Sequence, residues 1–494
     1  MSVSQIAITP ARCLGAVDRK VFGGFVEHLG RCVYGGLYEP GSPLADERGF
    51  RSDVLGLLRE LRLGVLRWPG GNFVSNYHWT DGIGAAASRP RRPELAWGGE
   101  EPNTFGTDEF LAYCAELGTE PYICLNMGTG TLSEALAWVE YCNSAARTYW
   151  ADKRRANGRD EPYRVRYWGL GNEMYGSWQV GAMSAEQYVA EATRWARAIK
   201  MLDPDAVLVG CGETGLTSWD AVVTGGLAGL VDYYSIHLYT GSGDYWTNVL
   251  QPHQAERAIR SAAALIDFAA YDQGLARKPL IAYDEWNVWY REMSAGLAER
   301  YTFTDALAVA TYLNVFIRNS HRVGMANLAQ MVNAIAPIVT TPERAVAQPI
   351  YYPVLLHARA ALELAADAHV SGQTITPDLP ADASRWPHRI ADLAPFTLVD
   401  AAATVAADRR RVAVTLVNRS QDAEPARLVL RDFAFDGAAM ITTLTAGRAA
   451  DPRPLPDVQA AHLAAGSEAA HGPVLDLTLP AQSFTVIEAP VTAS

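Results

Sequence analysis

Long apolar runs are absent from this chain of 494 residues. None approaches the ~20 residues that a membrane span requires, so no membrane association is expected. Net positive charge is lacking too. The balance of 42 basic against 54 acidic residues gives −12, which excludes a nucleic-acid partner whose phosphates demand a basic face. The one dense basic run, Arg89 to Arg92, is short and interrupted by Pro90, as in a solvated loop. Cysteine is scarce: Cys13, Cys32, Cys114, Cys124, Cys142 and Cys211 form no C-x-x-C pair, and none lies beyond Cys211. That excludes a disulfide framework and a zinc site of clustered thiolates, and suits a reducing compartment. No basic segment followed by an apolar one opens the chain, so a cytoplasmic location is expected. Neither H-E-x-x-H nor a phosphate-binding G-x-x-x-x-G-K occurs, and no metal or cofactor is called for. Gly210-Cys-Gly-Glu-Thr-Gly215 does match G-x-G-x-x-G. It lies mid-chain, however, and the next acid, Asp232, precedes a strand instead of ending one, which rules against a dinucleotide site.

The composition itself is that of an ordinary soluble protein, 49% hydrophobic and 19% charged, in a length that suits a large barrel plus an accessory module. Short apolar runs recur at Val21–Phe25, Val65–Trp68, Pro121–Leu125, Val165–Leu170, Val207–Gly210, Tyr233–Ile236, Leu280–Tyr283 and Met325–Ala329. Amphipathic stretches lie between them, among them Asp53–Leu61, Thr107–Leu117, Ser133–Asn143, Ala185–Leu202, Gln254–Tyr271 and Thr304–Asn319. Thr107 and Ser184 read as helix caps, the latter with Gln187 three residues on. Parallel strands need helical crossovers, so the pattern predicts a (β/α)8 TIM barrel, with a doubly wound sheet as the alternative. The polar residues at the strand ends favour the barrel: Glu27-His28, Gly70-Gly71-Asn72, Asn126, Asn172-Glu173, Glu213, His237 with Tyr239, Asp284-Glu285, and Gln330. Polar groups at eight C-terminal strand ends converge on one mouth. Beyond about residue 360, short alternating runs such as Arg411–Asn418, Val474–Leu479 and Ser483–Glu488 predict a C-terminal antiparallel β-sandwich. The expected division is 1–17 as a strand able to join that module, 18–360 as the barrel and 361–494 as the sandwich.

Glycosidic hydrolysis needs an acid for the leaving oxygen and a carboxylate to meet the developing oxocarbenium charge. Tyr167-Trp-Gly-Leu-Gly-Asn-Glu173 and Ile281-Ala-Tyr-Asp-Glu-Trp-Asn287 each place a carboxylate beyond a strand, the fourth and the seventh. Only a fold could bring two groups so distant in sequence together, and in a closed eight-stranded barrel both positions face the mouth.

These segments, with Phe22-Gly-Gly-Phe-Val-Glu-His28, Trp68-Pro-Gly-Gly-Asn-Phe-Val-Ser75, Trp79-Thr-Asp-Gly-Ile-Gly84, Asn103–Phe110 and Ala329–Pro337, resemble glycoside hydrolase family 51, the α-L-arabinofuranosidases. The resemblance implies an exo-acting, retaining hydrolase of arabinose-containing oligosaccharides, with Glu173 as acid/base and Glu285 as nucleophile. It places Glu27, Asn72, Asn172, Tyr239 and Gln330 around the furanose ring, with Asn172 on the 2-hydroxyl. It also implies a homo-oligomer, a hexamer by likeness. His237 suits either support of the site or a satisfied strand end, and Trp97 and Trp178 suit either a sugar platform or the core. Glu173 is expected to be protonated at rest, raised by burial and by the charge of Glu285. Departures from the family pattern are Tyr175 where Asp is common, Ser177 where Pro is common, Gly212–Gly215 in place of a Ser-rich segment, and a short span from 291 to 303. A clan-related xylanase or cellulase and a non-catalytic sugar-binding protein are the rival readings.

Overall fold

A computed structural model describes residues 3–290, 297–380, 389–447 and 458–493. Eight parallel strands close into a barrel: Gly23–Phe25, Val65–Trp68, Glu120–Leu125, Tyr167–Leu170, Val207–Gly210, Tyr233–Thr240, Leu280–Val288 and Val323–Ala329. The last pairs with the first, Asn327 opposite Gly23. Apolar strands thus find their partners without leaving an edge exposed, and the doubly wound alternative is excluded. Inside the barrel, Val65, Tyr122, Tyr167, Val209, Tyr233, Ala282 and Met325 form a packed layer, one residue from each of strands two to eight. This plug makes the lower barrel solid and leaves chemistry to the upper end.

Helices cross over between the strands as their periodicity predicts, with shifts of a residue or so at their ends. The structure adds Tyr149–Ala156, Ser218–Leu227, Tyr245–Leu250 and Tyr351–Ala360. At Ser184 the capping box forms in both directions, Gln187 N–H to the Ser184 hydroxyl and Ser184 N–H to Gln187 Oε1. Thr107 is not a cap. Gly106 holds that place, its N–H donating to Glu109 Oε2, while the Thr107 hydroxyl accepts from Trp138 Nε1.

Strands six and seven run past their expected ends. Strand six continues to Thr240, so Ser235, His237 and Tyr239 lie on one inward face at the two-residue period of a strand. Strand seven continues to Val288 through a register shift: Ala282 pairs with Ser235, yet Glu285 pairs with His237. The extra residue is a bulge. It lets Asp284 and Glu285 both face inward, while Tyr283 and Trp286 pack outward on Tyr312 and Phe316.

Apart from three short two-stranded ribbons, the remaining described strands form one nine-stranded sheet, antiparallel except where Ser4–Ala16 runs parallel to Glu424–Leu430. The N-terminal strand also pairs antiparallel with Leu364–Ser371. Along Arg411–Asn418, Val412, Val414 and Leu416 enter the sheet's own core, whereas Ala413 and Val417 pack against the barrel helices Phe303–Arg318 and Tyr351–Ala360. Both faces are covered, which is why that strand reads as almost continuously apolar. A buried polar seam joins the two modules. Asp400 accepts from Asn314 (2.8 Å) and Arg318 (3.0 Å), and Asn314 Oδ1 accepts from the Thr415 hydroxyl (2.7 Å).

Candidate active site

Arg67 organises the floor of the mouth. It stands two residues beyond Val65 on the same inward face, its guanidinium lying over the Phe25 ring at 4.4 Å. Nη1 donates to Glu285 Oε1 and Nη2 to Asn172 Oδ1, both at 2.6 Å, and Nε faces Asp284 at 3.6 Å. One planar fork therefore sets a carboxylate and an amide side by side. Because Asn172 Oδ1 is taken by a donor, its Nδ2 is the free end, and that atom is buried with no hydrogen-bond partner among the described residues. An unpaired buried donor costs stability unless something meets it, and a sugar hydroxyl would.

Glu285 is gripped on both oxygens, Oε1 by Arg67 and Oε2 by the Tyr239 hydroxyl at 2.7 Å. Tyr239 is itself braced edge-on by Trp289. Glu173 follows strand four on a sharp turn in which Gly171 (φ 77) and Glu173 itself (φ 44) are left-handed. Its Oε1 meets His237 Nδ1 at 3.0 Å and the Tyr175 hydroxyl at 3.2 Å, and its Oε2 accepts from Trp178 Nε1 at 2.9 Å. Ligand atoms of Glu173, His237 and Glu285 all lie within 4.8 Å of one another. The two carboxylates are thus close together at the mouth.

His237 bridges the acids. Its Nε2 reaches Asp284 at 3.2 Å while Nδ1 faces Glu173. Burial pulls the imidazole down, but the charge of Glu285 and the bonds to Asp284 and Glu173 outweigh it and hold His237 at about 10, a cation at neutral pH. Asp284, with Arg67, His237 and the Tyr122 and Ser235 hydroxyls around it, is held down at about 2 against the upward push of burial. For Glu173 the outcome reverses the expectation. Burial raises it as foreseen, yet His237, Trp178 and Tyr175 together bring it below the ordinary carboxylate value. The expectation weighed burial and Glu285 but omitted three donors.

Around this centre, Glu27 accepts from Phe73 N–H, Trp97 Nε1 and Gln330 Nε2, each at 3.0 Å. Burial, opposed by the Phe73 N–H bond, pushes Glu27 up to about 7. Asn72 is half-buried beside Gly71, where a Cβ would stand 3.1 Å from Glu27 Oε2 and 3.3 Å from Glu285 Oε1. That space is reserved by glycine. Trp97 is half-buried and Trp178 is 60% exposed, so Trp178 is not core. Two strand-end residues do not join the centre: Asn126 closes a turn at Gly128 and Thr129, and Glu213 is bonded by Thr217. Arg67, Ser235 and Tyr122 were missed, and Asp284 and Tyr175 were named without a role in the site. A charge inside the apolar run Val65–Trp68 was the available signal for Arg67, whereas the inward turn of Asp284 depends on the bulge.

Glu173, His237 and Glu285 are also close enough to chelate a metal ion. Both nitrogens of His237 already face carboxylates, and Arg67 neutralises Glu285 at 2.6 Å, so the charges of the set are met from within.

Residues 57–257 match the family profile described as Alpha-L-arabinofuranosidase 1 domain, and residues 284–483 the one described as Alpha-L-arabinofuranosidase C-terminal domain. Alpha-L-arabinofuranosidase C of Emericella nidulans is 50% identical over 384 residues, covering 74% of this chain and 76% of that protein. The chain belongs to glycoside hydrolase family 51. Intracellular exo-alpha-(1->5)-L-arabinofuranosidase 1 of Bacillus subtilis is 36% identical over 456 residues, 88% of each chain. The α-L-arabinofuranosidase of Thermotoga maritima, solved as an arabinose complex, has a TM-score of 0.87 at 38% identity, over 99% of this chain and 100% of that one. In this family 51 chain Tyr175 and Ser177 follow Glu173 on its turn, and Gly212–Gly215 follow strand five. Residues 291–296 of the shortened span lie outside the described residues.

Proposed function

We propose that this α-L-arabinofuranosidase removes terminal α-L-arabinofuranosyl units from the non-reducing ends of arabinan and arabinoxylan oligosaccharides, with retention, by double displacement. The observation that carries the mechanism is the approach of Glu173 and Glu285 to within 4.8 Å at their nearest. Retaining pairs stand about 5–5.5 Å apart, and inverting pairs leave room for a water. Glu285, oriented by Arg67 and Tyr239, attacks the anomeric carbon. As the leaving-group oxygen displaces the Trp178 N–H, Glu173 delivers a proton from Oε2 to that oxygen. Forming the glycosyl ester removes the charge of Glu285, and Glu173 then takes a proton from water to release the sugar. Glu27, Asn72, Asn172 and Gln330 bind ring hydroxyls, and Trp97 and Trp178 flank the neighbouring sugar.

Action on imported oligosaccharides in the cytoplasm is supported by the name of the Bacillus subtilis relative, which is called intracellular. Among the described residues no helix is long and apolar enough to cross a membrane. A homo-oligomer is carried over from the family likeness, and light scattering would test it.

The deciding experiment is proton NMR of the first sugar released from an aryl α-L-arabinofuranoside. The α-anomer should appear first and mutarotate later, whereas initial β-anomer would overturn retention. A panel of chromogenic furanosides and pyranosides separates this reading from a xylanase or cellulase.

A further inference from the structure

Glu173 is a carboxyl with two unequal oxygens, and Tyr175 is the residue that tips the balance between them. Oε1 receives two donors, His237 Nδ1 and the Tyr175 hydroxyl, from the interior side. Oε2 receives only Trp178 Nε1, from a side chain 60% exposed at the rim. When such a carboxyl takes up a proton, the oxygen already accepting two hydrogen bonds stays the acceptor, and the proton goes to the other oxygen. That other oxygen, Oε2, faces the open side from which a leaving group enters.

Tyr175 is built to keep this role. It lies on the same turn as Glu173, two residues on, so donor and acceptor move together. Its ring is held edge-on by Trp178 at 6.0 Å and by Trp219 at 5.6 Å. Trp219 is fixed in turn by its Nε1 bond to Cys211 O at 3.0 Å and by the tilted ring of Tyr188, whose hydroxyl bonds Leu170 O at the end of strand four. Burial and the neighbouring Glu173 charge push the phenol well above its ordinary value, so it stays a donor throughout the working range.

We propose that Tyr175 is a positioning residue of the glycosidase reaction, whose hydroxyl acts with His237 on Oε1 of Glu173 to place the transferable proton on Oε2, facing the leaving-group oxygen. The inference rests on Glu173 as acid/base and adds to it the choice of oxygen.

The test is Tyr175→Phe, which removes one oxygen and keeps the ring packing, so the urea midpoint should stay close to that of the parent protein. Kinetics are measured on methyl α-L-arabinofuranoside, which needs protonation to leave, and on the 2,4-dinitrophenyl glycoside, which does not. Expected are a roughly tenfold loss of kcat/KM on the methyl glycoside and less than about threefold on the aryl one. A donor that favours the carboxylate is also lost, so the basic limb of the methyl-glycoside profile should move to higher pH. Equal losses on both substrates, or an unmoved basic limb, would overturn the proposal. Glu173→Ala, run in parallel, keeps the two ideas apart. Full activity of that variant on the methyl glycoside sinks the acid/base assignment itself, whereas an inactive Glu173→Ala beside an unaffected Tyr175→Phe sinks only the role of Tyr175.

Discussion

Replacing Arg67 is the most searching perturbation, because two acceptors and a neighbouring carboxylate depend on one guanidinium. Arg67→Met removes the donors to Glu285 Oε1 and Asn172 Oδ1 and leaves Asp284 and Glu285 buried with His237 as the nearby cation. Breaking a buried ion pair by deleting one partner costs about 3–5 kcal/mol, and the urea transition should shift accordingly. Catalysis loses more than charge. Glu285 is then held by Tyr239 alone, and the Asn172 amide is free to turn its Nδ2 away from the sugar. Loss of one preorganised donor in a closed site is worth about 2.7–4 kcal/mol in the transition state. The expected fall in kcat/KM on an aryl α-L-arabinofuranoside is therefore on the order of 10²–10³. Arg67→Lys is the informative control. It keeps the charge, but a single ammonium on a flexible stem does not span both acceptors in one plane. Stability should recover by more than half while kcat/KM stays at least about tenfold low. Wild-type kinetics in Arg67→Lys would refute the reasoning, since the planar fork would then be dispensable.

The same geometry sets other outcomes. Glu285→Ala should lower kcat by roughly 10⁴-fold, and Glu173→Ala should do so except on glycosides with good leaving groups, where activity partly returns. Gly71→Ala introduces a Cβ at 3.1 Å from Glu27 and 3.3 Å from Glu285, so kcat/KM should fall by about 10–100-fold with folding intact; unchanged kinetics would show that this space is not used. Asp400→Ala leaves Arg318 only the longer carboxylate contact, to Glu256 at 3.4 Å, and Asn314 without its acceptor, and urea unfolding should report a loss of about 3 kcal/mol, with less than about 1 kcal/mol counting against the seam. His237 is raised from 6.5 to about 10 in the folded protein, so its contribution is complete below 6.5 and declines as pH rises towards 10. The thermal midpoint should drop across that window, and less so in His237→Asn.

The sequence by itself determined the barrel, because its eight apolar runs each ended in a polar residue and alternated with amphipathic stretches whose periods are local properties of the chain. It also marked Glu173 and Glu285, since a carboxylate directly beyond an apolar strand stands out in one dimension. Tertiary structure alone decided the electrostatics. The bulge in Leu280–Val288 turned Asp284 inward beside Glu285, and strand six carried His237 between three acids, whose charges raise the imidazole while it lowers Glu173. Burial is legible from composition and pattern. The distances of about 3 Å at which donors outweigh burial exist only after the ends of strands two, four, six and seven have met.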